Sequence, residues 1–496
     1  MDPSYNESGI LLKESDVYSF GVVLFEMLTG MLVYCRRSID NEMERSLIHL
    51  VRRYYDNELD KLIDPQIKDQ IDSGSFDKFK KIAYECISFK PTERPTMDMV
   101  IDRIEEALDF ELQKNDAALI ECVMEDIGFS HGIPVLAFTI YKCLLNQKYL
   151  TTEETTVFDR LLKIFNSAIQ DRDDNQMAYW LSNASTLLFL IHKSLRPPSS
   201  TLSFGKMEER FRSVSLAEDA LIVKQVEGKN PALLFEQQLT EYVEKVYSII
   251  CDNLKIKLGP LLSLCTNQAP PKSKGVSISE ISASKDSRFN YWQGILNHLN
   301  TLLNTLKENS VRCIIIQKIF AQIFSCINME LFNSLLRGQE WCNISNGEYM
   351  KAGLADLEHW CILVKEMYAG SAWDKLKHIR QAIGFLTLHE KRMLSYDKFS
   401  NDLCPILSRQ QLYQLWTLYW GDNSDGRVSS NVISSLRILM KKDYDDASSN
   451  SLLLDDNSSI PFSVDDLSTS LQVKDFANVE PALQLSKYGA FRFLYN

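Results

Sequence analysis

The sequence predicts an all-α protein, and three observations support that prediction. Apolar residues recur at helical spacing through most of the chain, helix start signals precede several of these segments, and alternating strand patterns are scarce. Val157, Leu161, Ile164 and Phe165 are one example of the helical spacing. A chain of 496 residues is long enough for about two to four domains with sizeable cores.

Composition narrows the class further. The net charge of −12 argues against a general nucleic-acid binder, which would carry a basic face. The 11 cysteines are scattered and form no CxxC, a pattern typical of reduced thiols. No apolar run reaches the roughly 18 residues that span a membrane, and the polar start MDPSYNESG does not resemble a signal peptide. We therefore expect a cytoplasmic protein that reaches membranes only indirectly.

The first element is the segment DVYSFGVVLFEML after Ser15. It is apolar on nearly all sides and is followed by Gly30, so the pattern predicts a fully buried helix that ends at this glycine. A second helix is predicted after ERPT. Its apolar positions at helical spacing are Met97, Val100, Ile101, Ile104 and Leu108.

These motifs resemble the last third of a plant receptor-like protein kinase. DPSY at residues 2–5, SDVYSFGVVL, and Cys86 with ERPTM carry the resemblance, which covers about 110 residues. It implies that residues 1–113 are a helical fragment of the kinase large lobe (C-lobe). In that family a glutamate at the position of Ser4 pairs with the arginine of the RP motif, so Arg94 would lack its usual partner.

Phosphoryl transfer is not expected from this fragment. It needs a glycine-rich loop over the phosphates, a strand lysine, a catalytic aspartate and magnesium-binding carboxylates. The sequence contains no GxGxxG, VAIK-like lysine, HRD or DFG. An isolated fragment of this kind would expose apolar surface, and we expect it to be only marginally folded alone.

The remaining elements are helices with readable starts. MAYWLSNASTLLFLI, residues 177–191, is apolar on most faces and is predicted to run through the centre of a bundle. Asn230 with Pro231 precedes ALLFEQQL as a cap and first-turn pair, and Ser408 with Gln411 forms a capping box. Ser371 leads into the helix WDKLKHIRQAIGFL. Loops are predicted near 196–222 and 266–288, and residues 443–466 form an acidic, serine-rich stretch interpreted as a solvated arm.

This region resembles the globular tail, or dilute domain, of plant class XI myosins. The matching strings appear in family order across residues 114–496, among them GFSHGIPVLAFTIYKCLL, NPALLFEQQLTEYVEK, QKIFAQIFSCIN, LKHIRQAIGFL and NDLCPILSRQQLYQLWTLYW. The resemblance implies an elongated helical bundle of two subdomains that binds cargo adaptors. Glu236 departs from the family, which often has lysine there, and we expect this change to weaken contacts with acidic partners.

No catalytic, cofactor or metal site is predicted. The phosphate-binding loop GxxxxGK[ST] of a myosin motor is not found in this sequence, nor is a sustained heptad array. DNSDG at 422–426 lacks the carboxylates that a calcium loop needs at its first and last positions. His359 and Cys361 have no second ligand pair nearby, and Cys404 has no activating context.

Partner-binding residues are predicted on two helices. In WDKLKHIRQAIGFL, Lys377, Arg380 and Gln381 lie on a flank of the apolar face. Lys318 and Gln322 occupy the polar side of another helix. The myosin resemblance implies that basic positions in the first of these helices contact cargo receptors, and Arg380 is the first candidate. The alternative for all five is an ordinary solvated helix face.

The sequence favours a non-enzymatic module that binds cargo adaptors on vesicles or organelles, with small GTPases among the candidate partners and with no cofactor. Two alternatives stay open at this point. The chain could act as a kinase or ATP-binding protein through its first 113 residues, or it could be a mis-joined gene model of two neighbouring genes.

Overall fold

The computed structural model describes residues 2–33, 37–39, 42–44, 46–56, 58–68, 71, 73–125, 127–152, 155–170, 172–196, 230–267, 278–389, 391, 395–419, 430–442, 452–456, 463–480 and 489–494. Regular structure in these ranges is almost entirely helical, which confirms the all-α prediction. The exceptions are two antiparallel strand pairs, β1 Arg37–Ile39 with β2 Glu42–Glu44 and β3 Phe129–Ser130 with β4 Ile133–Pro134.

The N-terminal region forms a small helical unit with its own core. Phe25, Leu47, Val51 and Leu62 are fully buried there. Its helices are α1 Pro3–Ser8, α2 Lys13–Thr29, α3 Leu47–Tyr54, α4 Pro65–Lys68 and α5 Ser73–Cys86. Helix α2 ends where the sequence indicated, with Gly30 in the left-handed conformation after its last turn, but it begins at Lys13, before the expected start after Ser15.

Helix α2 is not buried on all sides. Helices α3 and α5 pack against one side of it, whereas Val23 and Met27 on another side are 46% and 70% exposed. The expectation of full burial is therefore wrong for these two residues, because no described element covers that side. Exposed Ile10 and Leu11 precede the helix.

Arg94 is paired in spite of serine at position 4. Its guanidinium donates two hydrogen bonds to the Asp2 carboxylate, at 2.7 and 2.9 Å, and further bonds to the carbonyls of Glu14 and Ser88. The hydrogen bond from Arg94 is the largest cause that lowers the pKa of Asp2. Asp2, two residues before Ser4, thus takes the place of the glutamate that the kinase resemblance implied as the partner of Arg94. The sequence alone did not indicate this pairing.

Helix α6, Met97–Val123, joins the N-terminal unit to the rest of the chain without a break. Thr96 caps it by accepting a hydrogen bond from the Met99 amide. Val100 packs in a small apolar cluster of the N-terminal unit, whereas Leu119 and Val123 belong to the core of the second region. The boundary predicted at residues 113/114 therefore falls inside a continuous helix.

The second region is a large helical bundle with one continuous core that runs from Ala118 to Phe491. Its helices are α7 Val135–Asn146, α8 Val157–Ala168, α9 Asp174–Leu195, α10 Pro231–Asn267, α11 Ile278–Glu308, α12 Cys313–Arg337, α13 Ile344–Val364, α14 Glu366–Ala369, α15 Lys377–Leu386, α16 Arg409–Leu418, α17 Ser430–Lys442 and α18 Val464–Ser470. A 3-10 turn, Trp373–Leu376, leads into α15, and a π-helical turn spans Lys398–Leu403.

Helices α9 and α12 form the centre of the bundle. Helix α9 is buried on most faces and packs against α7, α10 and α11, as its apolar sequence indicated. Among the described residues, α12 is the one helix that is long and apolar enough to cross a membrane by length and composition, and 56% of its apolar window is buried inside the protein. The predicted capping box of Ser408 and Gln411 is present at the start of α16.

The loop predicted at 266–288 is largely helical. Helix α10 continues to Asn267 and α11 already begins at Ile278, so only residues 268–277 of that range lie outside the description. From Ile278 onward the segment contains no proline or glycine before Gly294, so its serines and lysines extend the helix rather than break it. Of the loop predicted near 196–222, all but Arg196 falls outside the described residues.

Candidate functional site

A groove in the described structure lies between α12, the segment leading into α15, and residues 452–456. Its volume is about 550 Å³. Lys318 and Gln322 of α12 and Lys377 of α15 line it. The other charged or titratable residues that line it are Asp374, Lys375, His378, Asp455 and Asp456. Three of the five predicted partner-binding residues therefore meet in one groove.

Helix α12 presents its polar side to the groove because its apolar side is packed in the core. Ile319, Phe320 and Ile323 are fully buried, and Lys318 and Gln322 follow the opposite side at a spacing of four residues. Gln322 also accepts a hydrogen bond from the thiol of Cys251, at 3.7 Å. Lys318 has no ion-pair partner among the described residues, so its ammonium is available to an incoming ligand.

Helix α15 is positioned by a side chain from α12. The start signal that the sequence placed at Ser371 belongs to the 3-10 turn, and α15 itself begins at Lys377 without a cap from Leu376. The buried Asn328 of α12 supplies the missing acceptor, since its side-chain oxygen receives the Ile379 amide at 3.0 Å. His378, whose pKa is lowered by burial, packs edge-on against Phe332. This side of α15 is therefore held rigidly beside α12.

Arg380 and Gln381 do not line the groove. The Arg380 guanidinium lies over the Trp373 ring, 4.3 Å from its centre, and remains exposed. The side-chain oxygen of Gln381 accepts a hydrogen bond from the Ile406 amide at 3.0 Å. Arg380 thus remains accessible beside the groove, whereas Gln381 fastens a neighbouring loop.

Residues 452–456, LLLDD, form one wall of the groove, and we call this segment the strap. Its central residue, Leu454, forms two backbone hydrogen bonds with Asn333 of α12. The Asn333 side-chain amide accepts one from the Leu454 N–H and donates the other to the Leu454 carbonyl, both at 2.8 Å. Gln411 donates to the Leu452 carbonyl, and Asp456 accepts from Lys255 at 3.1 Å. This part of the acidic stretch is docked rather than solvated, so the interpretation of 443–466 as a solvated arm is wrong here.

The serines and aspartates that flank the strap dominate the composition of this stretch and hid its three consecutive leucines. Leu452, Leu453 and Leu454 are partly buried against the large core, and this apolar run was the available signal. The end of the same stretch is also ordered, because Ser463 and Asp466 form a capping box at the start of α18. Residues 443–451 and 457–462 lie outside the described residues.

Charge is balanced in this groove by the strap. Three lysines and three aspartates line it, and two of the aspartates, Asp455 and Asp456, belong to the strap. Burial acts to lower the pKa of Lys255, but the hydrogen bond and attraction from Asp456 outweigh burial and raise it. Without the strap, the lining would carry an excess of two positive charges.

The described residues contain no candidate metal site, since no three His, Cys, Asp or Glu side chains come together. Burial raises the pKa of the Cys404 thiol to about 12 and that of Cys361 likewise, so neither is prepared to act as a nucleophile. His359 is exposed on α13. The DNSDG segment lies outside the described residues.

Glu236 is an interior residue, contrary to the expectation that it would influence contacts with acidic partners. It is 5% exposed, and its carboxylate lies 2.6 Å from both His192 and Arg196. Its negative charge is used within the bundle, where it fastens α10 to the end of α9. The family difference at this position therefore concerns internal packing.

Comparison with known proteins places the α12 and α15 sides of the groove within a recognised domain, whereas the strap lies outside the match. Residues 318–423 match the family model of the DIL domain, a range that begins at Lys318 and includes α15. The chain is 53% identical to Myosin-6 of Arabidopsis thaliana over 404 residues and 52% identical to Myosin-14 over 405 residues. Each alignment covers 77% of this chain, but the chain spans only 27% of the length of these relatives.

Solved structures share the fold. The yeast myosin 5 cargo binding domain has a TM-score of 0.53 at 15% identity, covering 77% of this chain and 94% of that one. Myo2-GTD in complex with Smy1 has a TM-score of 0.52 at 15% identity, covering 77% and 98%. At this identity the likeness concerns the fold alone. The family match, the plant relatives and the shared fold together support a myosin globular tail.

Proposed function

We propose that the chain is a non-enzymatic, cargo-adaptor-binding module of the myosin-tail type, acting in the transport of vesicles or organelles on actin. The observation that carries the proposal is the convergence on one groove of Lys318, Gln322 and Lys377, all three of which lie inside the DIL match. Three solved Myo2-GTD structures are complexes with Smy1, Mmr1 and Inp2, and this precedent supports protein partners for the same fold. Cargo adaptors, with small GTPases among them, are the partner class that we propose.

The groove suits a protein partner more than a substrate. It combines a rigid floor from α12 and α15 with lysines that have no ion-pair partner among the described residues, and it brings together no nucleophile or metal ligands. Exposed Arg380 extends the positive surface beside it. Such charges at the rim of an interface mainly raise the association rate and select the partner. We place the chain in the cytoplasm, reaching membranes through adaptors.

We further propose that residues 1–113 derive from the large lobe of a receptor-like kinase and serve no catalytic role. The motifs DPSY, SDVYSFGVVL and ERPTM support this origin. The alternative of a kinase or ATP-binding function gains no support from the family match, the relatives and the structures described above. A single transcript read across residues 113 and 114 tests whether the two segments are encoded together.

Charge reversal in the groove and beside it tests adaptor binding. The probe is the set of proteins that the tail region of Arabidopsis Myosin-6 captures from plant extract, quantified by mass spectrometry on the immobilised chain. Lys377→Glu and Arg380→Glu should each reduce recovery of this set, because they turn attraction toward an acidic partner into repulsion. Lys351→Glu, exposed on α13 away from the groove, is the matched control and should leave recovery unchanged. Equal recovery by all three variants, with unchanged helicity, would contradict the proposal.

Expression of this chain alone should also interfere with transport, since it would occupy adaptors without moving them. Organelle velocities in plant cells should fall when the wild-type chain is overexpressed and should fall less with Lys377→Glu. Velocities that do not change on overexpression of the wild-type chain would count against the competition mechanism.

A further inference from the structure

The strap binds to the bundle in the way that a partner peptide binds to a receptor. The amide of Asn333 forms hydrogen bonds with both backbone groups of Leu454, as a neighbouring β-strand would. Gln411 donates a hydrogen bond to the carbonyl of Leu452, two residues earlier. Lys255 holds the carboxylate at the end of the strap. Backbone contacts of this kind can form with any extended peptide. The apolar contacts and the lysine favour a peptide in which apolar residues are followed by an acidic one.

Asn333 and Gln411 are themselves buried, at 7% and 4% exposure. If the strap left without a replacement, the Asn333 amide would lose both hydrogen bonds, and unsatisfied buried polar groups are costly. Water could solvate the uncovered amide, but it would leave the apolar contacts of the strap leucines unmade. Another extended backbone with apolar side chains can supply both the paired N–H and C=O groups and those contacts, which identifies the class of ligand that could take the place of the strap.

Charge points to the same ligand. Lys318, Lys375 and Lys377 line the groove and have no ion pair among the described residues, while Asp455 and Asp456 of the strap supply two of the three negative charges there. A ligand that removes the strap must therefore bring negative charge of its own, since the bare lining carries a net positive charge. A basic or purely apolar peptide would leave that charge uncompensated.

We propose that the strap is a built-in competitor and that an extended acidic peptide of the partner, with apolar residues preceding its carboxylates, displaces it to reach Asn333, Gln411 and Lys255. The identification of that partner as a cargo adaptor rests on the proposed function. The peptide slot itself depends only on the contacts of Asn333, Gln411 and Lys255. The strap thus sets the affinity that a peptide needs in order to displace it. Only peptides that match both the backbone contacts and the charge reach that affinity and occupy the slot.

The test uses the full chain and a fluorescent synthetic peptide, SLLLDDN, that copies residues 451–457. The double variant Leu454→Pro with Asp456→Lys removes the backbone N–H that donates a hydrogen bond to Asn333 and reverses the charge that faces Lys255. It leaves Asn333, Gln411 and Lys255, which form the peptide slot, unchanged. The peptide should bind this variant about tenfold or more tightly than the wild type in fluorescence anisotropy. Adding Asn333→Leu should abolish that gain, and the control peptide SLLLNNN should bind markedly more weakly.

Asp456→Lys alone provides a milder variant, because the Asp456 side chain is already 47% exposed. It should show a smaller gain of the same sign. A second measurement needs no variant: saturating SLLLDDN should speed hydrogen exchange at Leu453 and Leu454 in the wild-type chain. Equal peptide affinity of the wild type and both strap variants, with no change in exchange, would overturn the proposal. A concentration-dependent dimer that forms by exchange of straps would replace the partner peptide with a second copy.

This outcome is separable from that of the proposed function. Peptide exchange requires no adaptor, so loss of adaptor capture in Lys377→Glu can be observed whether or not the strap moves. If the strap exchanges but no adaptor binds, the peptide slot stands and the cargo assignment falls.

Discussion

At the residue scale, Gly353 shows how closely the bundle is packed. It is buried on α13 where the indole of Trp292 from α11 crosses the helix, and a Cβ added there would fall inside that ring. Gly384 on α15 differs, because nothing lies within 4 Å of the place where its Cβ would be. Two helical glycines therefore have opposite roles, one required by contact and one not.

Gly353→Ala should lower the free energy of unfolding by about 1–3 kcal/mol, because Trp292 must move out of its packed position. Gly384→Ala is the matched control and should raise stability by about 0.5–1 kcal/mol, since alanine lowers the entropy lost on forming a helix. Chemical denaturation of both variants measures the difference. An unaltered denaturation midpoint for Gly353→Ala would mean that α11 and α13 are less closely packed than the structure describes.

At the element scale, the groove depends on one interhelical hydrogen bond. Helix α15 carries Lys377 and Arg380, yet its first turn is capped by Asn328 from α12 rather than by its own N-cap residue. A sequence signal within α15 could not reveal this cap, because the acceptor lies 51 residues earlier in the chain. The spacing of apolar residues did predict the buried face of α15, including Ile379 and Ile383.

Asn328→Ala should leave the Ile379 amide without an acceptor and should cost about 1–3 kcal/mol of stability. Hydrogen exchange at Ile379 should become faster, and the first turn of α15 should fray. Ser325→Ala, one turn earlier on α12 and exposed, should change stability by less than about 0.5 kcal/mol. Equal exchange at Ile379 in both variants would show that the cap does not hold α15.

At the scale of the whole molecule, the described residues form separate cores on the two sides of α6. Phe25 lies in the N-terminal core and Phe324 in the large one, and both are fully buried. Asp116 anchors the C-terminal part of α6 to the bundle by accepting a hydrogen bond from Tyr149 at 2.5 Å. Burial raises the pKa of Asp116 despite that bond.

Because the cores are separate, calorimetry should resolve two unfolding transitions. Phe25→Ala should lower the free energy of unfolding of the N-terminal unit by about 3–5 kcal/mol and leave that of the large bundle nearly unchanged. Phe324→Ala should have the opposite effect, destabilising the large bundle and leaving the N-terminal unit nearly unchanged. The N-terminal transition should be the weaker one, since Val23, Met27 and Ile10 remain exposed there. One transition that both variants shift equally would mean that α6 couples the two cores into one cooperative unit.

The sequence by itself determined the helical class, the C-terminal end of α2, the capping box of α16 and three of the residues that meet in the groove. These features depend on local periodicity and on contacts within a few residues, which a sequence displays directly. Only the tertiary structure decided that Asn328 caps α15, that Asp2 pairs with Arg94, that Glu236 lies inside, and that LLLDD is docked against Asn333. In each of these cases the partners lie between 40 and 121 residues apart, so their pairing arises from packing rather than from local pattern.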